Sequence, residues 1–337
     1  MPTPPGTPRE RVLAPTRPLQ RRDTSDAPSS RPRQAWTSIR VGIALTVIVA
    51  TATSCSANAT GHDAVMPATG NVPASSLVTS APLETAAASA SIPVYWLGHS
   101  NDSVYLYREF TTPATADDPI VSSLRAMMTR RPQDPDYFSV WNAPTRLGAS
   151  ISAKNVITVD ISADAFGQKV DQGIAERSVA QLVYTATAAA AMSGLIDSSS
   201  AVQVSVLVDG HTGYNAFGHV ALDKPLTRDS RFLAPVWIID PANGASTKAN
   251  PLKVSGQGIS PTGVLQWSLA SVNDGKAGSA YLSGSVTLPA GPSALGNYAF
   301  DVTPVPGSYL LSVFISEPET PGKQIGIDTK LVTVEGP

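Results

Sequence analysis

The hydrophobic pattern is strongest from Gln181 to Val220, QLVYTATAAAAMSGLIDSSSAVQVSVLVDGHTGYNAFGHV. Between Ile174 and Met192, the residues Val179, Leu182, Val183, Ala186 and Ala190 fall on one face at helical spacing, which predicts a buried helix. Its alanines let it lie close against a sheet, and Gly194 is suited to close it with a positive φ. Val202, Val204, Val206 and Val208 then alternate with Gln203, Ser205 and Leu207. That period of two in β-branched residues predicts a core strand, and Asp209-Gly210 supplies a tight turn after it.

Upstream, Pro93 to Leu97 and Val104 to Tyr107 read as strands. Asp118-Pro119 opens a helix, with Asp as the cap and Pro at the first position; Ile120, Leu124, Met127 and Met128 form its apolar stripe, and Pro132 stops it. In the loop from Thr129 to Trp141, Arg130, Arg131, Asp134 and Asp136 are expected in solvent, whereas Tyr137, Phe138 and Trp141 are expected to clip the loop to the core. Thr145 to Ser152 and Val156 to Ser162 read as two further strands. The order β-β-α-β-β-α-β-β predicts an α+β fold, a mixed sheet with two helices on one face.

From Val236 onward no helical spacing remains. Seven short strands between turns predict an all-β immunoglobulin-like sandwich. Trp267 stands where such a sandwich buries a Trp, and Pro306-Gly307-Ser308-Tyr309 resembles a tyrosine corner. Leu311 occupies the place of the second Cys of antibody domains, so apolar packing is expected in place of a disulfide.

Three motifs carry a family resemblance. Q-L-V-Y-T-A-T (Gln181 to Thr187), V-S-V-L-V-D-G (Val204 to Gly210) and V-I-T-V-D-I-S (Val156 to Ser162) resemble the GerMN domain of bacterial sporulation and germination proteins, over roughly Ile92 to Asp223. APVWIIDPANG (Ala234 to Gly244), the later L-Q-W and the closing D-T-K-x-V-T-V resemble the immunoglobulin-like domain found beside GerMN domains. The resemblance implies a role in envelope assembly or sensing, and no cofactor.

Charge is uneven along the chain. The formal net charge is −2, but residues 1–40 hold eight Arg and three acids, for +5, which leaves −7 on the remainder. A mildly acidic main part offers no basic face for nucleic acid. Val41 to Ala52 is apolar, follows Arg40, and is too short to span ~30 Å of hydrocarbon as a helix. It reads as the hydrophobic region of a signal and runs into Ala52-Thr53-Ser54-Cys55, which resembles a lipobox with Cys55 as the acylated residue. Ala52 and Ser54 depart from the usual Leu and Gly or Ala. The alternatives are an ordinary cleaved signal with a leftover thiol, and an uncleaved anchor that keeps the same topology. The single Cys excludes an internal disulfide. Ser56 to Ser91 is rich in Ala, Ser, Thr and Pro and reads as a tether with a reach of ~30–36 Å. The predicted organisation is a 1–54 n-region and signal, a 55–91 tether, a 92–227 GerMN-like domain and a 228–337 sandwich.

Candidate chemistry is sparse. Asp209, His211 and His219 share one loop region and offer two imidazoles and a carboxylate. HExxH and G-x-S-x-G motifs are absent, and Gly256-Gln257-Gly258 lies between strands rather than before a helix. No catalytic, cofactor or metal residue is therefore assigned; Cys55 is assigned to lipid attachment. The expected protein is a non-catalytic lipoprotein on the outer face of the cell membrane, tethered there to bind envelope proteins or peptidoglycan. The alternatives are a metal-dependent wall hydrolase using Asp209, His211 and His219, and a small-ligand-binding lipoprotein with Tyr137 to Trp141 as a lid.

Overall fold

A computed structural model describes residues 83–84, 90–114, 118–197, 199, 201–248, 250–320 and 322–336. The apolar run, Cys55 and most of the tether lie outside the described residues. Residues 73–337 form one unit, built from an α+β half and a sandwich half.

The α+β half contains β1 (Ile92–Ser100), β2 (Ser103–Thr111), α1 (Pro119–Thr129), β3 (Tyr137–Phe138), β4 (Leu147–Ile151), β5 (Val156–Ile161), α2 (Gln172–Met192), β6 (Gln203–Val208), β7 (Tyr214–Ala216) and β8 (Val220–Leu222). Its strands divide into a sheet ordered β2-β1-β3, a mixed sheet ordered β4-β5-β6 and a β7-β8 hairpin. β5 runs parallel to β6 and antiparallel to β4. The caps form where the sequence places them. Asp118 accepts from the N–H groups of Ile120 and Val121, with Pro119 next to it, and Asp171 accepts from Ile174 N–H. Gly194 follows α2 at φ +68°, as its position predicts.

α2 is more deeply placed than a one-sided stripe implies. Every residue from Ser178 to Ala191 is buried. Val179, Leu182, Val183 and Ala186 join the main core with α1 and β4 to β6, while Ala180, Tyr184 and Ala188 pack on Tyr95, Leu97 and Leu106 of β1 and β2. The run of alanines follows from this position, since a helix packed on two sides at short distance has no room for larger side chains.

The sandwich half contains β9 (Val236–Asp240), β10 (Ala245–Thr247), β11 (Leu252–Gly258), β12 (Val264–Asn273), β13 (Lys276–Thr287), β14 (Gly296–Val302), β15 (Gly307–Ser316) and β16 (Gln324–Val334). One sheet is ordered β14-β11-β9 and the other β10-β16-β15-β12-β13. All seven predicted strands are present, and β10 adds a short parallel pairing with β16. This is an immunoglobulin-like two-sheet sandwich. Leu265, Leu269, Leu311 and Val313 fill its core, with Leu311 fully buried in the disulfide position. The Tyr309 hydroxyl donates to Val305 O at 2.7 Å, which is the tyrosine corner.

One expectation is corrected here. Trp267 is only partly buried; it stacks on Phe300 at 5.0 Å and covers Gly284 at the margin of the sandwich core. In the sandwich strands the fully buried Trp is Trp237 of β9, whose ring belongs to the core of the α+β half. Trp237 thus carries the packing of the first half into the first strand of the second.

Candidate functional site

The Gln181 to Thr187 motif does structural work that its spacing alone does not reveal. β3 pairs with β1 only at Leu97 and Gly98. At Tyr95, side chains of α2 take over from a strand: Gln181 Nε2 donates to Tyr95 O at 2.8 Å, and Thr185 Oγ1 accepts from Tyr95 N–H at 3.1 Å. These two residues sit one helical turn apart, so they meet the same strand residue from one face. Tyr184 and Thr187 hold Arg228. The guanidinium lies 4.7 Å from the Tyr184 ring centre, and its Nε donates to Thr187 Oγ1 at 2.7 Å. Buried polar groups on a helix are costly unless bonded, and these four bond across to other elements.

Arg228 leads to a second group of side chains. Glu84, from the stretch before β1, reaches Arg228 Nη2 at 2.6 Å and Arg108 Nη1 at 2.8 Å, and it accepts the Tyr95 hydroxyl. Arg108 is 7% exposed and Arg228 4%. Burial would raise the Glu84 carboxyl, but Arg228 and then Arg108 outweigh it and hold the carboxyl below the usual glutamate value. Beside the pair lies a cavity of about 410 Å3, lined in part by Tyr95, Arg108, Phe110, Trp237, Gln257 and Asn297. Arg108 Nε and Trp237 Nε1 have no hydrogen-bond partner among the described residues.

A third group joins the two halves. Lys330 of β16 is 2% exposed and bonds Asp134, the Tyr137 hydroxyl at 2.7 Å and Asp328 at 3.2 Å. Asp328 accepts the Tyr137 hydroxyl at 2.8 Å and the Ile238 N–H at 2.6 Å. Burial pushes the Asp328 carboxyl above its ordinary value, with the Lys330 charge acting against that shift. Burial, then the Asp328 and Asp134 charges, push the Tyr137 phenol well up, so it stays a donor. Asp134 was expected in solvent and is instead 2% exposed; Glu109 accepts its backbone N–H at 2.9 Å and holds the loop that carries it.

The residues singled out from sequence do not assemble a reactive centre. Asp209 and Gly210 take φ of +52° and +79°, forming the hairpin turn that their dipeptide predicts. The Asp209 carboxylate accepts from Arg146 Nη2 at 3.0 Å. His211 Nδ1 lies 2.7 Å from Asp209 O, and His219 Nε2 lies 2.9 Å from Val170 O, so each imidazole is engaged by a different backbone carbonyl. No group of three or more His, Cys, Asp or Glu able to hold a metal ion occurs among the described residues. The aromatic loop is corrected as a lid. Tyr137 stacks on Tyr107 at 4.6 Å, and Trp141 sits edge-on to Phe166 and Phe217 at 5.0 Å each, as core clips. Gly256 is explained by packing, because a Cβ there would meet Trp237 O and the Tyr298 hydroxyl at 2.3 Å each.

Sequence reasoning missed Glu84, Arg108, Arg228, Asp328 and Lys330 as partners. Arg108 and Lys330 occupy strands, where a single charge among apolar neighbours is a weak signal; Glu84 is one acid in a tether-like segment. Asp328 and Lys330 lie two residues apart on β16, but their other partners and those of Glu84 and Arg228 are 24 to 196 residues away, so no local spacing joins the groups.

The fold and its motifs define an α+β domain followed by an immunoglobulin-like sandwich. Residues 93–213 match the family described as Germane: Sporulation and spore germination, and they form a GerMN-type domain. Solved structures similar to this chain include two from one protein. The tandem GerMN domains of the sporulation protein GerM from Bacillus subtilis share 17% identity, over 46% of this chain and 52% of that one, at a TM-score of 0.31. The first GerMN domain of the same protein shares 13% identity, over 42% of this chain and 96% of that one, also at 0.31. This chain thus spans about half the length of the tandem-domain structure. No curated protein matches the chain.

Proposed function

We propose that this protein is a non-catalytic envelope lipoprotein. In this reading Cys55 is acylated, residues 55–91 tether the chain to the outer face of the cytoplasmic membrane, and residues 92–227 and 228–337 act as a two-domain binding or scaffold module. Its process is envelope assembly or sensing of the sporulation and germination type. The observation that supports this most is how the buried polar groups are used. Gln181, Thr185, Thr187, Arg228, Asp134, Asp328 and Lys330 all bond across elements to hold the fold together. The nearest thing to a metal triad is engaged by separate backbone carbonyls. The export signal and tether of the sequence support placement outside the membrane.

The test incubates the purified full chain with envelope extracts and peptidoglycan, scoring both retention and release of wall fragments. The expected result is retention of an envelope protein or of peptidoglycan with no fragment release. Neither kind of retention, or release of fragments that His211→Ala abolishes, overturns the reading.

A further inference from the structure

The Glu84 contact is unusual in where its carboxylate comes from. Arg108 and Arg228 belong to the folded body, on β2 and just before β9, and both are more than nine-tenths buried. Their shared carboxylate comes from the segment that leads into β1. Leu83 arrives with it and packs against the main core. The occupant is thus an apolar-acidic dipeptide in a site that the body builds from two guanidinium groups and a phenol. Each carboxylate oxygen takes a charge-assisted hydrogen bond from a different guanidinium.

The site is also larger than its occupant. Besides Leu83 and Glu84, the cavity of about 410 Å3 is lined by Phe110, Trp237, Gln257 and Asn297. Arg108 Nε and Trp237 Nε1, both on residues that line it, lack partners among the described residues. Buried donors without partners are rare, and here two belong to residues that line one cavity. Gln257 and Asn297 add amide donors and acceptors; Gln257 Nε2 already bonds Asn297 Oδ1 at 2.6 Å.

We propose that this cavity is a recognition site for an acidic peptide segment, occupied in cis by Leu83-Glu84, and that a partner's apolar-acidic segment binds by displacing them. The inference rests on the binding-module reading and names the chemistry that such a module would recognise. Displacement has a built-in threshold. An occupant on the same chain competes at an effective concentration, which raises the affinity that a partner segment needs. A partner segment must therefore exceed it through contacts that Leu83-Glu84 leaves unmade, namely those to Arg108 Nε, Trp237 Nε1 and the two amides. Binding would also release the tether from the body, coupling recognition to the segment that leads toward the membrane.

The test uses the full chain and a synthetic, end-capped peptide of residues 80–88, SAPLETAAA, added in trans. Isothermal titration calorimetry compares wild type with Glu84→Ala, and the peptide with its counterpart carrying Gln in place of Glu. The expected result is at least tenfold tighter binding of the acidic peptide by Glu84→Ala than by wild type, and at least tenfold weaker binding of the Gln peptide to the variant. Equal affinity for the two peptides, or no binding to a folded variant, overturns the proposal. Should Glu84→Ala not fold alone, recovery of its native circular dichroism with the acidic but not the Gln peptide supports the proposal, and no recovery overturns it. Failure here leaves envelope retention of the whole chain intact, and failure of that retention leaves peptide binding intact.

Discussion

Lys330 and Glu84 each neutralise two opposite charges in a buried setting, so the loss of either leaves two buried like charges. Removing Lys330 strands two carboxylates, Asp134 and Asp328, at 2% and 5% exposure. Breaking a buried ion pair on one side costs about 3–5 kcal/mol, because the remaining charge stays desolvated. Lys330→Met is therefore expected to lower the unfolding free energy by about that amount, read from chemical denaturation. Glu84→Gln keeps the shape but leaves Arg108 and Arg228 buried without their carboxylate, with an expected loss of about 3–5 kcal/mol at neutral pH. Its pH dependence follows from the depressed carboxyl. A group whose folded pKa lies below its unfolded one stabilises the fold fully above the unfolded value, here the ordinary glutamate value of 4.5. The advantage of wild type over Glu84→Gln should thus be constant from pH 7 to about 5 and disappear as pH falls through the folded pKa, below 4.5. Denaturation curves at several pH values check it; a difference that grows in acid contradicts the Arg108–Glu84–Arg228 assignment.

At the scale of elements, α2 and β11 show what pattern reading sees and what it does not. The valine alternation of β6, the Asp118 cap, Gly194 and the Asp209-Gly210 turn were legible because each depends on residues within a few positions. The full burial of α2 was not legible, because alanine satisfies a surface face and a crowded interior equally well. The same holds for Trp267 and Trp237: strand periodicity gives the face of a residue, but not its distance from the sheet margin or which half its ring enters. Gly256 belongs to β11, where β9 and the Tyr298 phenol close over the backbone. Gly256→Ala pushes a methyl into Trp237 O and Tyr298, and overpacking of this kind costs about 1–3 kcal/mol. A lowered melting temperature, with loss of the near-ultraviolet Tyr and Trp signal, is the expected result. By contrast, Tyr309→Phe removes only the bond to Val305 O and should cost about 1 kcal/mol in the same assay.

Across the whole molecule, the α+β class, the strand count of the sandwich and its tyrosine corner could be read from sequence, since each follows from short-range periodicity or a compact motif. The long-range polar contacts could not. Asp134 with Lys330, and Glu84 with Arg228, connect residues 196 and 144 positions apart, and each side chain alone resembles an ordinary surface charge. Those contacts give the molecule its proposed character, a folded body closed by internal polar bonds and joined to a tether through Glu84. The most direct measurement is mass spectrometry of the full chain cross-linked in intact cells, reading its N-terminal peptide and its partners together. The account predicts a mature chain that begins at an acylated Cys55 and carries cross-links to envelope proteins or peptidoglycan. A chain that retains residues 1–54 ahead of an unmodified Cys55 and is cross-linked to cytoplasmic components would contradict it.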